Sequence, residues 1–263
     1  MSVIPPRPVG RVNYDLVVVG GGAAGLVAAV VGATLGARTA IVERAERGGD
    51  CTWRGCVPSK ALLHIASVAQ SARSGSRFGV DVSDVSVVWD RVHAWLDQTR
   101  QNIYEQADAP TALARYGIRV YSGNATFLDA KRLGIVEEHE ESVITARRFV
   151  VCAGSEPTIL DLGIPYFTTE TIFNIENIPP RMIIVGGGPA SVELAQAFVR
   201  LGSDVQLLTR GTRLLPRDDQ EQSQMLQRAL EREGVRLTFG ADVIGARIDR
   251  DDCASRRPRA TCR

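Results

Sequence analysis

"YDLVVVGGGAAGLVAAVVGATLGARTAIVE", residues 14–43, decides the fold. Tyr14–Val19 is a short β-branched run suited to a buried strand, and Gly20–Gly22 breaks it with a turn. Residues from Ala23 to about Leu35 are rich in Ala and Val and read as a helix. Arg38–Glu43 is the next strand. A strand–helix–strand unit of this length calls for a parallel sheet with right-handed crossovers. The uncharged run Leu16–Ala37 is long enough to span a bilayer, but its glycine triplet splits it, so no spanning helix is expected.

The pattern returns at residue 181. "RMIIVGGGPASVELAQAFVRLGSDVQLLTR" is again strand, triple glycine, helix and strand. Two nucleotide-binding halves in one chain imply two cofactors. In the first, Gly20, Gly22 and Gly25 satisfy G-x-G-x-x-G around Ala23 and Ala24. Such glycines permit the tight turn, the approach of a pyrophosphate and close helix packing, with the helix N-terminus facing the phosphates. Glu43 ends the following strand, where a carboxylate accepts hydrogen bonds from ribose hydroxyls. The second loop has Gly186 and Gly188, then Pro189, Ala190 and Ser191, with serine in the third glycine's place. Its second strand ends in Thr209 and Arg210 without an acid. An arginine there pairs with a 2′-phosphate, which favours NADP(H) over NAD(H).

Between the two loops lies "GGDCTWRGCVPSK", residues 48–60. Cys51 and Cys56 are candidates for a metal site, a structural disulfide or a working redox pair. Zinc needs four ligands, and no second pair sits at metal spacing. A structural disulfide over so short a loop contributes little relative to longer loops. A redox pair fits better, because a thiolate is favoured at a helix start with positive charge nearby, here Arg54 and Lys60.

Composition excludes other classes. The 263 residues are 44% hydrophobic and 23% charged, with a net charge of +1, so no global field favours nucleic acid or an anionic membrane. Five cysteines are too few for a disulfide scaffold, and residues 1–13 lack the apolar core of a secretory signal; a cytoplasmic protein is expected.

The rest of the first half reads as helix from "SKALLHIASVAQSA", a second helical region from about Asp90 to Tyr116, and then strands. The charge run "EEHEES" is a hairpin tip. The last fifteen residues have no apolar periodicity and carry four arginines in the final eight.

Taken together, these stretches resemble the class I pyridine nucleotide-disulfide oxidoreductases, the family of dihydrolipoamide dehydrogenase, glutathione reductase and mercuric reductase. The resemblance runs from Tyr14 to about Gly245. It includes "SGNATF", similar to a stretch whose backbone meets the adenine, and "VCAGSEP", similar to the segment that closes over the flavin. "GGGPASVELAQAF" looks most like mercuric reductase and its relatives.

The resemblance implies an α/β fold of two Rossmann-like domains. Residues 12–158 would be an FAD-binding domain carrying the redox disulfide, and 159–248 a partial NAD(P)-binding domain. Residues 249–263 would be a disordered or frame-shifted tail. FAD would be held by the first loop, Glu43, Arg44, Gly49, Asp50, Cys51, Lys60, Ala125, Ala153, Gly154 and Ser155. The second loop, Glu193, Thr209 and Arg210 would meet the nicotinamide cofactor. Cys56 would form the charge-transfer thiolate, Cys51 the exchange thiol, and Glu193 would pair with a lysine near the flavin.

The implied activity passes electrons from NAD(P)H through FAD to the Cys51–Cys56 disulfide and on to a small disulfide or soft metal ion. The chain departs from the family at Asp50, usually threonine, where a carboxylate would disfavour the neighbouring thiolate. At Pro189 it lacks the gating tyrosine of some relatives. The family's C-terminal interface domain, which makes the homodimer and supplies a His-Glu base, is expected to be missing. An inactive fragment that at most binds nucleotide is therefore the alternative, as is activity of the dihydrolipoamide dehydrogenase or glutathione reductase type.

Overall fold

A computed structural model describes residues 13–138, 140–249 and 257–262, the last stretch and residues 247–249 at backbone level only. In chain order the first elements are β1 (Tyr14–Val19), α1 (Ala23–Thr34), β2 (Thr39–Glu43), α2 (Gly49–Trp53), α3 (Cys56–Arg73), α4 (Trp89–Ile103) and α5 (Pro110–Ala114). Strands β3 (Arg119–Ser122), β4 (Asn124–Phe127), β5 (Arg132–Val136) and β6 (Glu141–Val151) follow. The second half contains β7 (Arg181–Val185), α6 (Pro189–Leu201), β8 (Asp204–Thr209), α7 (Gln220–Arg232), β9 (Arg236–Phe239), β10 (Val243–Asp249) and β11 (Arg257–Cys262).

The chain divides into two compact units. Residues 1–53 and 100–156 make the first, and 54–99 with 157–263 make the second.

The first unit is built on a six-stranded sheet in the order β3-β2-β1-β6-β5-β4. β1 pairs in parallel with β2 and β6, and β2 with β3, as the strand–helix–strand pattern requires. β6 serves two partners. Its first part, Glu141–Thr145, pairs antiparallel with β5, and Ala146–Val151 continues alongside β1. The tip between β5 and β6 matches the expected hairpin at the charge run, apart from His139, which lies outside the described residues.

Alternation along β1 puts successive valines in different cores. Val17 packs with Ala40, Val42, Leu133, Ile135 and Ile144. Val18 packs with Leu26 and Ala29 of α1, and with Ile41, Leu113 and Ile118. Both faces of the central strand are therefore buried, which is why it carries no polar alternation.

The second unit holds a three-stranded parallel sheet, β7-β8-β9, with α6 and α7 as its crossovers. Its core joins Val205 and Leu207 of β8 to Ala195 and Phe198 of α6 and to Leu62 and Ala66 of α3. Trp89 closes it and donates its indole N–H to the Ile175 carbonyl at 2.8 Å.

The structure differs from the expected domain bounds in two places. Residues 54–99 were expected in the first domain, yet α3 and most of α4 pack into the second unit's core. Their apolar stripe announces burial without naming the partner. The tail was expected to lack structure, yet Arg257–Cys262 forms a strand antiparallel to β10. Ladder pairing is a backbone property and does not require apolar periodicity. Residues 250–256 and 263 of that tail, and residue 12 of the first domain, lie outside the described residues.

Candidate active site

The first glycine loop sits at the C-terminal ends of the parallel strands, where α/β sheets bind ligands. Gly20 has φ of +109°, and a Cβ there would lie 2.1 Å from the Cys152 carbonyl oxygen. Gly25 is tighter still, since a Cβ would fall 1.9 Å from the Gly20 oxygen. Only glycine lets α1 approach the loop this closely.

Gly22 differs. Its backbone is extended, φ −78° and ψ −175°, and the nearest atom to a built Cβ is Gly49 Cα at 3.9 Å. A side chain begun there would meet no atom closer than ordinary van der Waals contact. Gly22 begins a helix with no side-chain cap and no acid in the first turn, so the amides of Ala23 and Ala24 remain available to an anion. The contrast is α7, whose Asp219 accepts from the amides of Glu221 at 2.9 Å and Gln222 at 3.1 Å. That helix caps itself.

Glu43 is already oriented. Its Oε2 accepts the Gly21 N–H at 2.6 Å and its Oε1 the Ala45 N–H at 2.8 Å, which leaves lone pairs for ribose hydroxyls. Gly123, beside Ala125 of β4, donates its N–H to the Glu43 carbonyl at 2.9 Å. On the other side, Cys152 donates its N–H to Val19 O at 2.7 Å, which sets Ala153, Gly154 and Ser155 at the exit of β6 next to the loop. Gly48 donates to the Gly21 carbonyl at 2.8 Å and brings Gly49 against Gly22. The structure thus gathers the loop, Glu43, Gly49, Ala125 and Ala153 at one end of one sheet. Arg44 and Asp50 are exposed at its margin.

The thiols come from different elements. Cys51 is half-buried on α2, in the first unit; Cys56 is exposed at the first position of α3, in the second. Cys56 begins an 18-residue helix whose N-cap, Gly55, offers no side-chain cap. Ser59 donates its hydroxyl to the Cys56 carbonyl at 3.1 Å. A thiolate at such a helix start gains from the exposed amides.

Further along α3, Lys60 meets Glu193 of α6. The Lys60 ammonium donates to both carboxylate oxygens, at 2.6 and 2.8 Å. The pair is partly solvent-exposed, so its Coulomb contribution to folding is small.

The second loop repeats the first with a looser fit. Gly188 is extended, φ −85° and ψ 176°, and a Cβ there would meet nothing within 4 Å. Pro189 opens α6, which like α1 has no side-chain cap and no acid in its first turn. Ser191 packs beside Gly186, whose Cβ would lie 2.9 Å from the serine oxygen. Thr209 is buried beneath Gly187 and accepts the Gly211 N–H at 3.2 Å; it supports the loop from below. Arg210 is exposed and lies 3.9 Å from the Asp242 carboxylate.

One group beside α2 carries no sequence signal. Asp108 ends a π-helical turn, Tyr104–Asp108, and is buried. Its Oδ2 accepts the Thr52 hydroxyl at 2.6 Å. Burial pushes its carboxyl above the ordinary carboxylate range, while the bond from Thr52 pulls it partway back. The partners are 56 residues apart, which no local motif reveals. Among the described residues no cluster of three or more metal-binding side chains occurs, and no helix is long and apolar enough to cross a membrane.

Comparison with known proteins follows the same lines. The sequence profile of the family described as "Pyridine nucleotide-disulphide oxidoreductase" matches residues 14–257. A dihydrolipoyl dehydrogenase of Bacillus subtilis is 32% identical over 247 residues, which cover 88% of this chain and 51% of the relative. One from Chlamydia trachomatis is 34% identical over 249 residues, 89% of this chain and 52% of the relative. A mercuric reductase of Streptomyces lividans is 32% identical over 244 residues, covering 90% and 51%. The chain spans about half the length of the curated relatives it matches. Among solved structures, a mutant copper(II) complex of a flavoprotein disulfide reductase of Escherichia coli aligns with a TM-score of 0.73 at 23% identity, covering 96% of this chain and 54% of that one. It supports the fold.

Proposed function

The chain belongs to the pyridine nucleotide-disulphide oxidoreductase family, and on that premise we propose that it is the cofactor-binding half of an FAD-dependent, NADP(H)-using disulfide reductase. The observation that carries this reading is the pair of open, uncapped glycine-loop helices, each at the C-terminal ends of parallel strands. Gly22, the α1 amides and Glu43 fit the pyrophosphate and ribose of FAD. Gly188, the α6 amides and Arg210 fit NADPH. Bound there, the nicotinamide and flavin supply hydride transfer and a two-electron relay.

The protein's own residues do the rest. The Cys51 thiolate attacks one sulfur of a substrate disulfide and expels the other half as a thiolate, which takes up a proton from solvent. Cys56 then attacks the mixed disulfide, closes the Cys51–Cys56 bond and releases the second thiol. Two substrate thiols are formed for each protein disulfide made. Thiolates also suit a soft metal ion as substrate, the reading supported by similarity to mercuric reductase. Lys60, one turn along the helix that Cys56 begins, and Glu193 of α6 hold each other's charge.

The test is the visible spectrum of the purified chain before and after anaerobic NADPH. A yellow chain that bleaches, with a long-wavelength band absent in Cys56→Ser, supports the reading. A chain that stays colourless with added FAD sinks it.

A further inference from the structure

Helix α2, which presents Cys51, has only five residues, too short to persist by its own hydrogen bonds. Its order must come from packing. The two residues that follow Cys51 both reach the same π-helical turn. Thr52, buried, donates its hydroxyl to Asp108 at 2.6 Å. Trp53 stacks at a tilt on Tyr104, ring centroids 5.3 Å apart, and donates its indole N–H to the Arg47 carbonyl at 2.7 Å. Arg47 returns to Tyr104 through its Nη2, 3.3 Å from the phenol oxygen. Gly48 completes the fit, because a Cβ there would lie 2.6 Å from both the Asp108 oxygen and Thr52. All of these residues belong to the first unit. π-Turns often mark functional sites, and here one turn carries both anchors of the thiol-bearing helix.

We propose that the turn Tyr104–Asp108 is the positioning element for the exchange thiol, with Asp108 fixing Cys51 in place through the Thr52 hydroxyl. Asp108 does not touch the substrate. It holds α2 so that Cys51 stays half-buried until it reacts. Burial pushes the Asp108 carboxyl above its ordinary range, as suits a group whose main partner is a single protein hydroxyl. The assignment of Cys51 as the exchange thiol rests on the function proposed above.

The test is the rate at which each thiol of the reduced chain is alkylated at pH 7 by iodoacetamide, the thiolate displacing iodide, with Cys51, Cys56 and Cys152 followed as separate peptides. Losing a buried hydrogen bond should raise the local opening of α2, so Cys51 in Asp108→Ala should react about tenfold faster or more. Asp108→Asn, which can still accept from Thr52, should stay within about twofold of the parent, as should Cys56 and Cys152 in every variant. Should Asp108→Ala fail to fold, Thr52→Val carries the same comparison, with Thr52→Ser as its rescue.

Unchanged Cys51 reactivity in the folded Ala variant would overturn the proposal. So would an Asn variant that behaves like Ala, or a rise shared by all three thiols, which reports general loosening. The assay needs neither flavin nor NADPH. A colourless chain therefore counts against the proposed function alone, and the Cys51 rates decide the role of Asp108.

Discussion

Gly25 shows how far one missing methyl group decides the first half of this molecule. It lies in the first turn of α1, where alanine would ordinarily gain about 1 kcal/mol over glycine. Here the added Cβ would sit 1.9 Å from the Gly20 oxygen and 3.3 Å from a Val18 methyl. The helix would have to lift off the strand, and overpacking of this kind costs about 1–3 kcal/mol. Gly25→Ala should therefore destabilise the chain by about 2 kcal/mol in urea unfolding. Ser191→Ala, at the matching position of the looser second loop, should stay within about 0.5 kcal/mol of the parent. Equal costs at the two positions would show that the two loops are packed alike. This difference was legible in the sequence, as glycine against serine in the third place. Asp108 was not, because its meaning depends on Thr52, and only the folded chain brings them together.

Among the elements, α6 shows what secures a crossover helix once its loop has been left open. Its N-terminus is uncapped, and its anchoring lies at the other end. Gly202 takes the left-handed C-cap conformation, φ +107°. Arg200, in the last turn, makes a two-pronged pair with Glu233 just past α7, at 2.6 and 2.7 Å, and Gln196 donates to the same carboxylate at 3.1 Å. Arg73 of α3 donates to the Arg200 carbonyl and ties a third helix to that end.

Both ionic side chains are mostly buried, so removing one strands the other. Glu233→Ala should cost about 2–3 kcal/mol, seen as a lower melting temperature, and the loss should shrink when Arg200 is also changed to Met. Additive losses in the double variant would mean the two do not act as a pair. Helices such as α3 and α6 were legible through their apolar spacing: Ala61, Leu62, Ala66 and Ala69 of α3 are all buried. Spacing says that a face is covered and not by what, so the unit to which α3 belongs emerged only in the fold. β11 was illegible for a related reason, since its pairing with β10 uses groups that every residue carries.

At the scale of the whole molecule, the repeat at Tyr14 and Arg181 predicted two nucleotide-binding halves, and the fold contains two sheets, one mixed and one parallel, each with a glycine loop at the end of its first strand. If each loop serves its own cofactor, the two sites should fail separately. Gly22 and Gly188 allow this to be tested without breaking the fold. Both have ordinary extended backbone angles, and neither built Cβ comes closer than 3.9 Å to another atom. Valine at either position should therefore leave the melting temperature within a few degrees of the parent, about 0.5 kcal/mol. Its branched side chain would nonetheless fill the approach to the helix amides. Gly22→Val should be purified without yellow colour yet still bind NADPH in a dye-displacement titration. Gly188→Val should keep its colour but need at least about tenfold more NADPH to bleach it, the equivalent of about 1.4 kcal/mol. If either substitution removed both behaviours from a folded chain, the two loops would be serving one site, and the reading of two independent nucleotide sites would fall with it.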